Sequence, residues 1–314
     1  MTDAYTSTST GSLGTSLVQT AYDRYVEFAL RSMPLLRDVA DKRPVQQAMP
    51  GSSVVFQIYT DLSAVTGTLD ETTDPSAVAL GNTSSVTVTL NEYGNAAIAT
   101  RKLELFSLSD VDPAIADIIA FNMADSLDDF AQTELRGGSN VIYGGTATGT
   151  ASITAGATIT SANIRKAVAK LRAGKAVPRV GELYWVGIHP EVSHDLRAET
   201  GDTGWRSAHV YNDAGAGQLW PGNIGVYEGA MFVESPRLYN AVDGSSARVF
   251  RTIVAGKQAL AEAVAQEPSV VIGPVTDKLM RFRPIGWYGV LGWKRYREEA
   301  LYRIETASSI GVNS

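Results

Sequence analysis

Asp112-Pro-Ala-Ile-Ala-Asp-Ile-Ile-Ala-Phe-Asn-Met-Ala-Asp-Ser-Leu-Asp-Asp-Phe-Ala-Gln-Thr-Glu-Leu-Arg-Gly-Gly138 reads as one long helix. Asp112 suits the N-cap, Pro113 the first helical position, where a missing N–H costs nothing, and Gly137-Gly138 the stop. Between them Ile115, Ile119, Met123, Leu127 and Ala131 recur every four residues, flanked by Ile118 and Phe130. That spacing makes one apolar stripe along roughly 36 Å of helix. Asp117, Asp125, Asp128, Asp129 and Glu134 fall mostly off the stripe. A helix about twice the usual length is a strut against which other elements pack.

Upstream, Ser53 to Tyr59 and Ser85 to Leu90 have the β-branched, alternating character of strands, and Ala96 to Thr100 returns as another. The excursion of about 25 residues between the first two is too long for a tight turn and reads as a loop projecting from the body. From residue 44 to 100 the chain holds 57 residues without Lys or Arg, but with Asp61, Asp70, Glu71, Asp74 and Glu92. A surface facing only solvent mixes both signs. Tyr22 to Val39 reads as a helix bent or ended at Pro34, with Tyr22, Tyr25, Phe28 and Ala29 close together. Ten of the first 20 residues are Ser or Thr, so the start reads as an arm or flexible tail.

Downstream, the Gly-, Ala-, Thr- and Ser-rich stretch 144–156 marks a boundary. Thr160 or Ser161 caps an expected helix through Ile164, Val168 and Leu171, ended by Gly174. Leu183 to Ile188 then reads as a buried strand, and His189-Pro190 opens a short helix to Arg197. Residues 201–225 read as a long loop, Val226 to Glu234 and Arg248 to Val254 as strands, and the Ala-rich Lys257 to Ala265 as a helix. Val270 to Ile272, Ile285 to Leu291 and Ala300 to Glu305 are strand candidates, the middle one weakened by Gly286, Gly289 and Gly292.

Composition narrows the function classes. The 314 residues are 44% hydrophobic and 19% charged, with a net charge of -6, which disfavours a dedicated nucleic-acid binder. The absence of Cys excludes disulfides and thiol chemistry. No run approaches the ~18 apolar residues of a membrane span, and the start lacks the pattern of a secretory signal.

No phosphate-binding glycine loop, His-Glu-x-x-His pair or Gly-x-Ser-x-Gly elbow occurs. His189 and His194 lie five apart, on different faces of a helix and without a third ligand, so a structural role is expected; the same holds for His209. Adjacent Asp128 and Asp129 do not face each other and read as solvated. Arg165, Lys166, Lys170, Arg172, Lys175 and Arg179 read as the polar side of a helix, with phosphate contact as the alternative. Trp287, Tyr288 and the Trp293-Lys294-Arg295-Tyr296-Arg297 cluster suit either core packing or a subunit interface. Neither catalytic residues nor a cofactor or metal site is expected.

The order of arm, acidic projecting loop, strut helix, small-residue break, α/β unit and returning strands resembles the major capsid protein of tailed bacteriophages with the Hong Kong 97-like fold. The phrases Val-Asp-Pro-Ala-Ile-Ala-Asp-Ile-Ile (111–119) and Gly-Trp-Tyr-Gly-Val-Leu-Gly-Trp (286–293) are similar to a branch of these coat proteins. The resemblance implies an α+β fold with an N-terminal arm and short helix at 1–43, an extended β-loop at 44–100 and a peripheral domain at 101–156 with a spine helix at 113–136. It further implies an axial domain at 157–254, then an axial-domain helix and strands returning to the peripheral domain at 255–314. It implies no enzymatic activity but self-assembly, as pentamers and hexamers, into an icosahedral shell around double-stranded DNA. The expected location is the virion, after assembly in the host cytoplasm. Further expected partners are separate scaffolding, portal and decoration proteins and weakly held DNA, with no membrane. The family's removable scaffolding region has no counterpart expected here, and its loop lysine, used for an isopeptide bond, is missing from 44–100. Inter-subunit contacts are expected between the acids Asp61, Asp70, Glu71, Asp74 and Glu92 and a set comprising Arg281, Arg283, Trp287, Trp293, Lys294, Arg295 and Arg297. A tail, portal or decoration protein, or an enzyme with an unfamiliar α/β site, is the alternative.

Overall fold

The structure, a computed structural model, describes residues 31–44, 53–59, 61–69, 71–72, 74, 84–106, 111–200, 223–275 and 277–310. The arm at 1–30, Asp70, most of the Gly-rich loop with His209, and the chain end lie outside these residues. Along the chain run β1 (Ala40–Pro44), β2 (Ser53–Ile58), β3 (Ser84–Thr89), β4 (Asn91–Thr100), α1 (Arg101–Phe106) and α2 (Val111–Leu135). Next come β5 (Val141–Tyr143), α3 (Ser161–Ala173), β6 (Tyr184–Ile188), α4 (Pro190–Ala198), β7 (Asn223–Tyr227) and β8 (Ala230–Glu234). The chain closes with β9 (Asn240–Ala241), β10 (Val249–Ala255), β11 (Leu260–Ile272), β12 (Phe282–Arg295) and β13 (Leu301–Thr306).

Among the described residues, β1, β11, β12 and β4 form one sheet in that order, and β5-β13-β10-β6-β8-β7 form a second with β9 on β10. β2 and β3 make a separate antiparallel hairpin. The second sheet is buried on both faces. One face, with Val186, Ile188, Phe232 and Val254, takes Ile164, Val168 and Leu171 of α3 and Val192 and Leu196 of α4. The other, with Trp185, Met231 and Ile253, meets Leu127, Ala131 and Leu135 of α2 and Leu260 and Leu291 of the first sheet. Each large apolar side chain so buried contributes roughly 1.5–3 kcal/mol of transfer free energy. The stripe read from the sequence is thus the face of α2 that joins the two sheets, while Ile118 is exposed.

Several elements depart from expectation. Lys257 to Ala265 is not a helix; β11 begins at Leu260 and pairs with both β1 and β12. Alanine favours helix where nothing else decides, but here alternate residues serve two cores. Leu260 and Val264 face α2, and Ala261 and Ala263 face the hairpin. The hairpin approaches so closely that small side chains are required. β12 runs through all three of its glycines because each is crowded by a different neighbour: a Cβ would meet the Asn95 carbonyl of β4 at 2.8 Å at Gly286, Pro268 Cα of β11 at 2.9 Å at Gly289, and the Thr89 carbonyl of the hairpin at Gly292. Val226 to Glu234 is not one strand but the hairpin β7–β8, turned at Glu228 and Gly229, with φ of 51° and 78°.

The described part of the expected Tyr22 to Val39 helix is not α-helical either. Only a 3-10 turn at Arg37–Val39 forms, because the amides of Leu36 and Arg37 donate to the Asp128 carboxylate at 2.6 and 3.0 Å instead of to helical carbonyls. Finally, α2 opens at Val111, one residue ahead of the expected cap, leaving Pro113 in the first turn.

Candidate subunit interface

The base of the acidic loop is the firmest part of this region. Phe56 and Val88 of the hairpin are buried against Ala261, Ala263 and Tyr296, with Phe56 set edge-on to Tyr296 at 5.9 Å between ring centroids. Beyond that seat the chain turns outward. Tyr59, Leu62, Val65 and Leu69 are exposed, Val65 to 86%, as are Asp61, Glu71 and Asp74; Val55, on the outer face of β2, is exposed too. Glu92, at the start of β4, is exposed too. Apolar and acidic side chains presented together, without one base, describe a surface built to be covered.

A second such surface lies at the far edge of the first sheet. Ile98, Leu103, Leu105, Phe106, Ile272 and Met280 are exposed there, Phe106 to 77%. Arg101, Arg281 and Arg283 line a pocket there with Leu105 and Met280, and Lys102 and Lys278, close by in the chain, are exposed. The edge is held by the Arg101 amide donating to the Arg281 carbonyl at 2.9 Å. The Arg281 guanidinium donates to Asp277 at 2.5 Å and lies over the Phe282 ring. Asp277 is held below the ordinary carboxylate range by that bond.

The basic aromatic end divides. Trp287 and Trp293 are buried within the chain. Trp287 Nε1 donates to Asn122 Oδ1 at 3.0 Å, and Trp293 stacks with Tyr93 and Phe130 at 5.7 and 5.6 Å. Both tryptophans therefore take the core-packing alternative. Arg295 is also engaged at home, donating to the Glu134 carbonyl and to Glu298 at 3.2 and 3.1 Å. Arg281, Arg283, Lys294 and Arg297 are exposed: the first pair at the sheet edge, Lys294 beside Thr87 and Thr89 of β3, and Arg297 in a groove with Ile58, Ser84 and Val86 of the hairpin.

The sequence reading missed one cluster outright. Asp128, expected to be solvated, is fully buried; its neighbour Asp129 is exposed. Besides the Leu36 and Arg37 amides, Asp128 accepts from Arg237 Nε at 2.9 Å, and Arg237 also contacts Asp125. Arg37 in turn donates to buried Glu262 of β11 at 2.6 and 3.0 Å. One carboxylate thus ties α2 to the chain before β1 and to the turn after β8. Burial raises the Asp128 carboxyl above the ordinary range against the pull of these donors. His189 caps α4 by accepting from the Glu191 amide at Nδ1, at 3.3 Å, and burial holds its basicity below the ordinary value. His194 is exposed.

Among the described residues there is no group of three or more His, Asp or Glu side chains arranged to hold a metal, and no helix long and apolar enough to cross a membrane.

The sequence pattern of a family described as phage capsid protein matches residues 16–310. No curated protein matches the chain. Among solved structures, the capsid of Ralstonia phage GP4 superposes with a TM-score of 0.78 at 16% identity, over 95% of this chain and 97% of that one. The cyanophage Pam1 capsid gives 0.74 at 14% identity, covering 96% and 100%. The head of Helicobacter pylori bacteriophage KHP40 gives 0.70 at 16% identity, covering 92% and 96%. At such identities the likeness is one of fold.

Proposed function

The chain belongs to the phage capsid protein family, and from that premise we infer that copies meet through the acidic loop and the apolar edge of the first sheet. The protein is a major capsid protein that assembles the viral shell. The finer organisation is our reading. Residues 44–100 carry the loop reaching a neighbour and return through β4 to the first sheet, which with the spine helix makes a peripheral body, while the second sheet, including β5 and β13, with α3 and α4 makes an axial body. Heterologous contacts around five-fold and six-fold positions close an icosahedral shell around DNA, with no bond-making step.

One observation carries this reading: the hairpin is seated on the body through Phe56 and Val88, while among the described residues beyond it the apolar Tyr59, Leu62, Val65 and Leu69 and the acidic Asp61, Glu71 and Asp74 are all exposed. A surface of that composition gains free energy only when another surface removes it from water. The net charge of -6 keeps contact with the enclosed polyanion weak. Scaffolding, portal and decoration proteins are separate partners in this account. Electron microscopy of the purified protein tests it: closed shells of uniform size are expected, whereas rings, open tubes or a permanent monomer would contradict it.

A further inference from the structure

From Ser161 to Gly181 the chain has Arg165, Lys166, Lys170, Arg172, Lys175 and Arg179 and not one Asp or Glu, in a protein whose net charge is -6. Helix α3 buries Ile164, Ala167, Val168 and Leu171, and turns Arg165, Lys166, Lys170 and Arg172 outward. On helical spacing Arg165 and Arg172 line one border of the exposed face and Lys166 and Lys170 the other, with exposed Ala162, Ala169 and Ala173 between. Lys175, in a left-handed conformation just past the helix, carries the positive strip into a groove of about 550 Å³. Lys257, Arg297, Glu298 and Glu299 also line it, as do Ile58, Ser84 and Val86 of the hairpin.

Inside the chain Arg179 pairs with Asp41 at 3.3 Å, and Glu298 and Glu299 share the groove, but among the described residues no ion pair holds Lys166, Lys170, Arg172 or Lys175. Arg165 stands 3.7 Å from Glu228, and the Lys170 ammonium lies over the Tyr302 ring at 5.7 Å. Glu199 is occupied by the Ser161 amide and hydroxyl. The complementary surface belongs to the same chain: Asp61, Glu71 and Asp74, exposed in a 57-residue stretch without Lys or Arg. Among the described residues no ion pair joins those acids to α3.

We propose that the exposed face of α3 and the Lys175–Lys257–Arg297 groove receive the acidic loop of a second copy of this chain. The proposal rests on the reading that the loop reaches a neighbour, and adds where it lands. The borders supply cations on both sides of an extended segment, and the alanine floor lets its backbone come close. The contact is electrostatic at its rim, so it sets register and partner choice more than total affinity.

The test reverses the strip with Lys166→Glu, Lys170→Glu, Arg172→Glu and Lys175→Glu and measures assembly by sedimentation at low and high salt, with monomer unfolding followed separately. Lys166→Glu with Lys175→Glu is the milder variant. Assembly at low salt should fall at least about fivefold, less at high salt, and recover when Asp61→Lys, Glu71→Lys and Asp74→Lys are added to the same chain. Full assembly of the strip variants, with loss in the loop variant alone, would overturn the landing site while leaving the loop reading intact. Full assembly of both would overturn both. Loss in each without mutual recovery would show that strip and loop do not meet. A normal shell with reduced DNA content would assign the strip to the genome, also overturning the proposal.

Discussion

Gly292 of β12 faces the carbonyl of Thr89 in β3, so that a Cβ at this position would collide with that oxygen. Opposite Gly292 in the ladder is Ala263, and the two make the slot that receives the hairpin. Gly292→Ala must therefore lift β3 or shift β12. The expected loss is about 1–3 kcal/mol of subunit stability, read by denaturant unfolding, with the loop base becoming susceptible to proteolysis before the rest of the chain. An unchanged midpoint and unchanged cleavage would show that the seat is looser than its geometry.

Asp128→Ala leaves the Leu36 and Arg37 amides and the Arg237 guanidinium without their buried acceptor. Breaking a buried charged cluster on one side costs about 3–5 kcal/mol. Asp128→Asn keeps one acceptor oxygen and should fall between that variant and the parent. Hydrogen exchange would report the loss first around residues 35–39 and 235–238; protection there equal to the parent's would remove Asp128 from its proposed role as a junction.

His189 gives a pH prediction with a defined sign. Its Nδ1 accepts the Glu191 amide, which requires the neutral ring, and burial holds its basicity below the ordinary 6.5. The unfolded chain therefore binds a proton more readily. Stability from this group is present above about pH 6.5 and lost as pH falls below it, by at most about 1.4 kcal/mol per pH unit. His189→Asn retains a capping acceptor without titrating, so the stability difference between the two proteins should shrink as pH falls below about 6.5. A constant difference would mean that His189 titrates as in water.

Leu105 and Phe106 bury little in the subunit. Replacing both by Ser should change monomer stability by no more than about 0.5 kcal/mol, yet reduce assembly if the sheet edge is a contact. Equal assembly yield in the double variant would confine the contacts to the loop.

The parts of this fold written in local pattern were legible. The stripe of α2 matches helical period, α3 has Gly174 as its stop, α4 has His189-Pro190 as its start, and the β2 and β3 alternation is plain. Misreadings occurred where a distant neighbour decides. Ala261 and Ala263 look helical until the hairpin presses on them, and Asp128 looks solvated until amides 91 and 92 residues away bind it. The acids of the loop were visible as a charge anomaly. The apolar edge was not, because Leu103, Leu105 and Phe106 form too short a run to carry a period.

The most direct test of the account is whether the loop's charges act between subunits. Asp70, Glu71 and Asp74 lie outside β2 and β3 in the sequence, so monomer unfolding should be unchanged by Asp70→Lys, Glu71→Lys and Asp74→Lys together. Assembly measured by sedimentation against salt concentration should be impaired most at low salt and partly recover as screening shortens the range of the new repulsion to within ~10 Å near 0.1 M. Normal assembly of the triple variant at every salt concentration would contradict the claim that this acidic loop holds neighbouring subunits together.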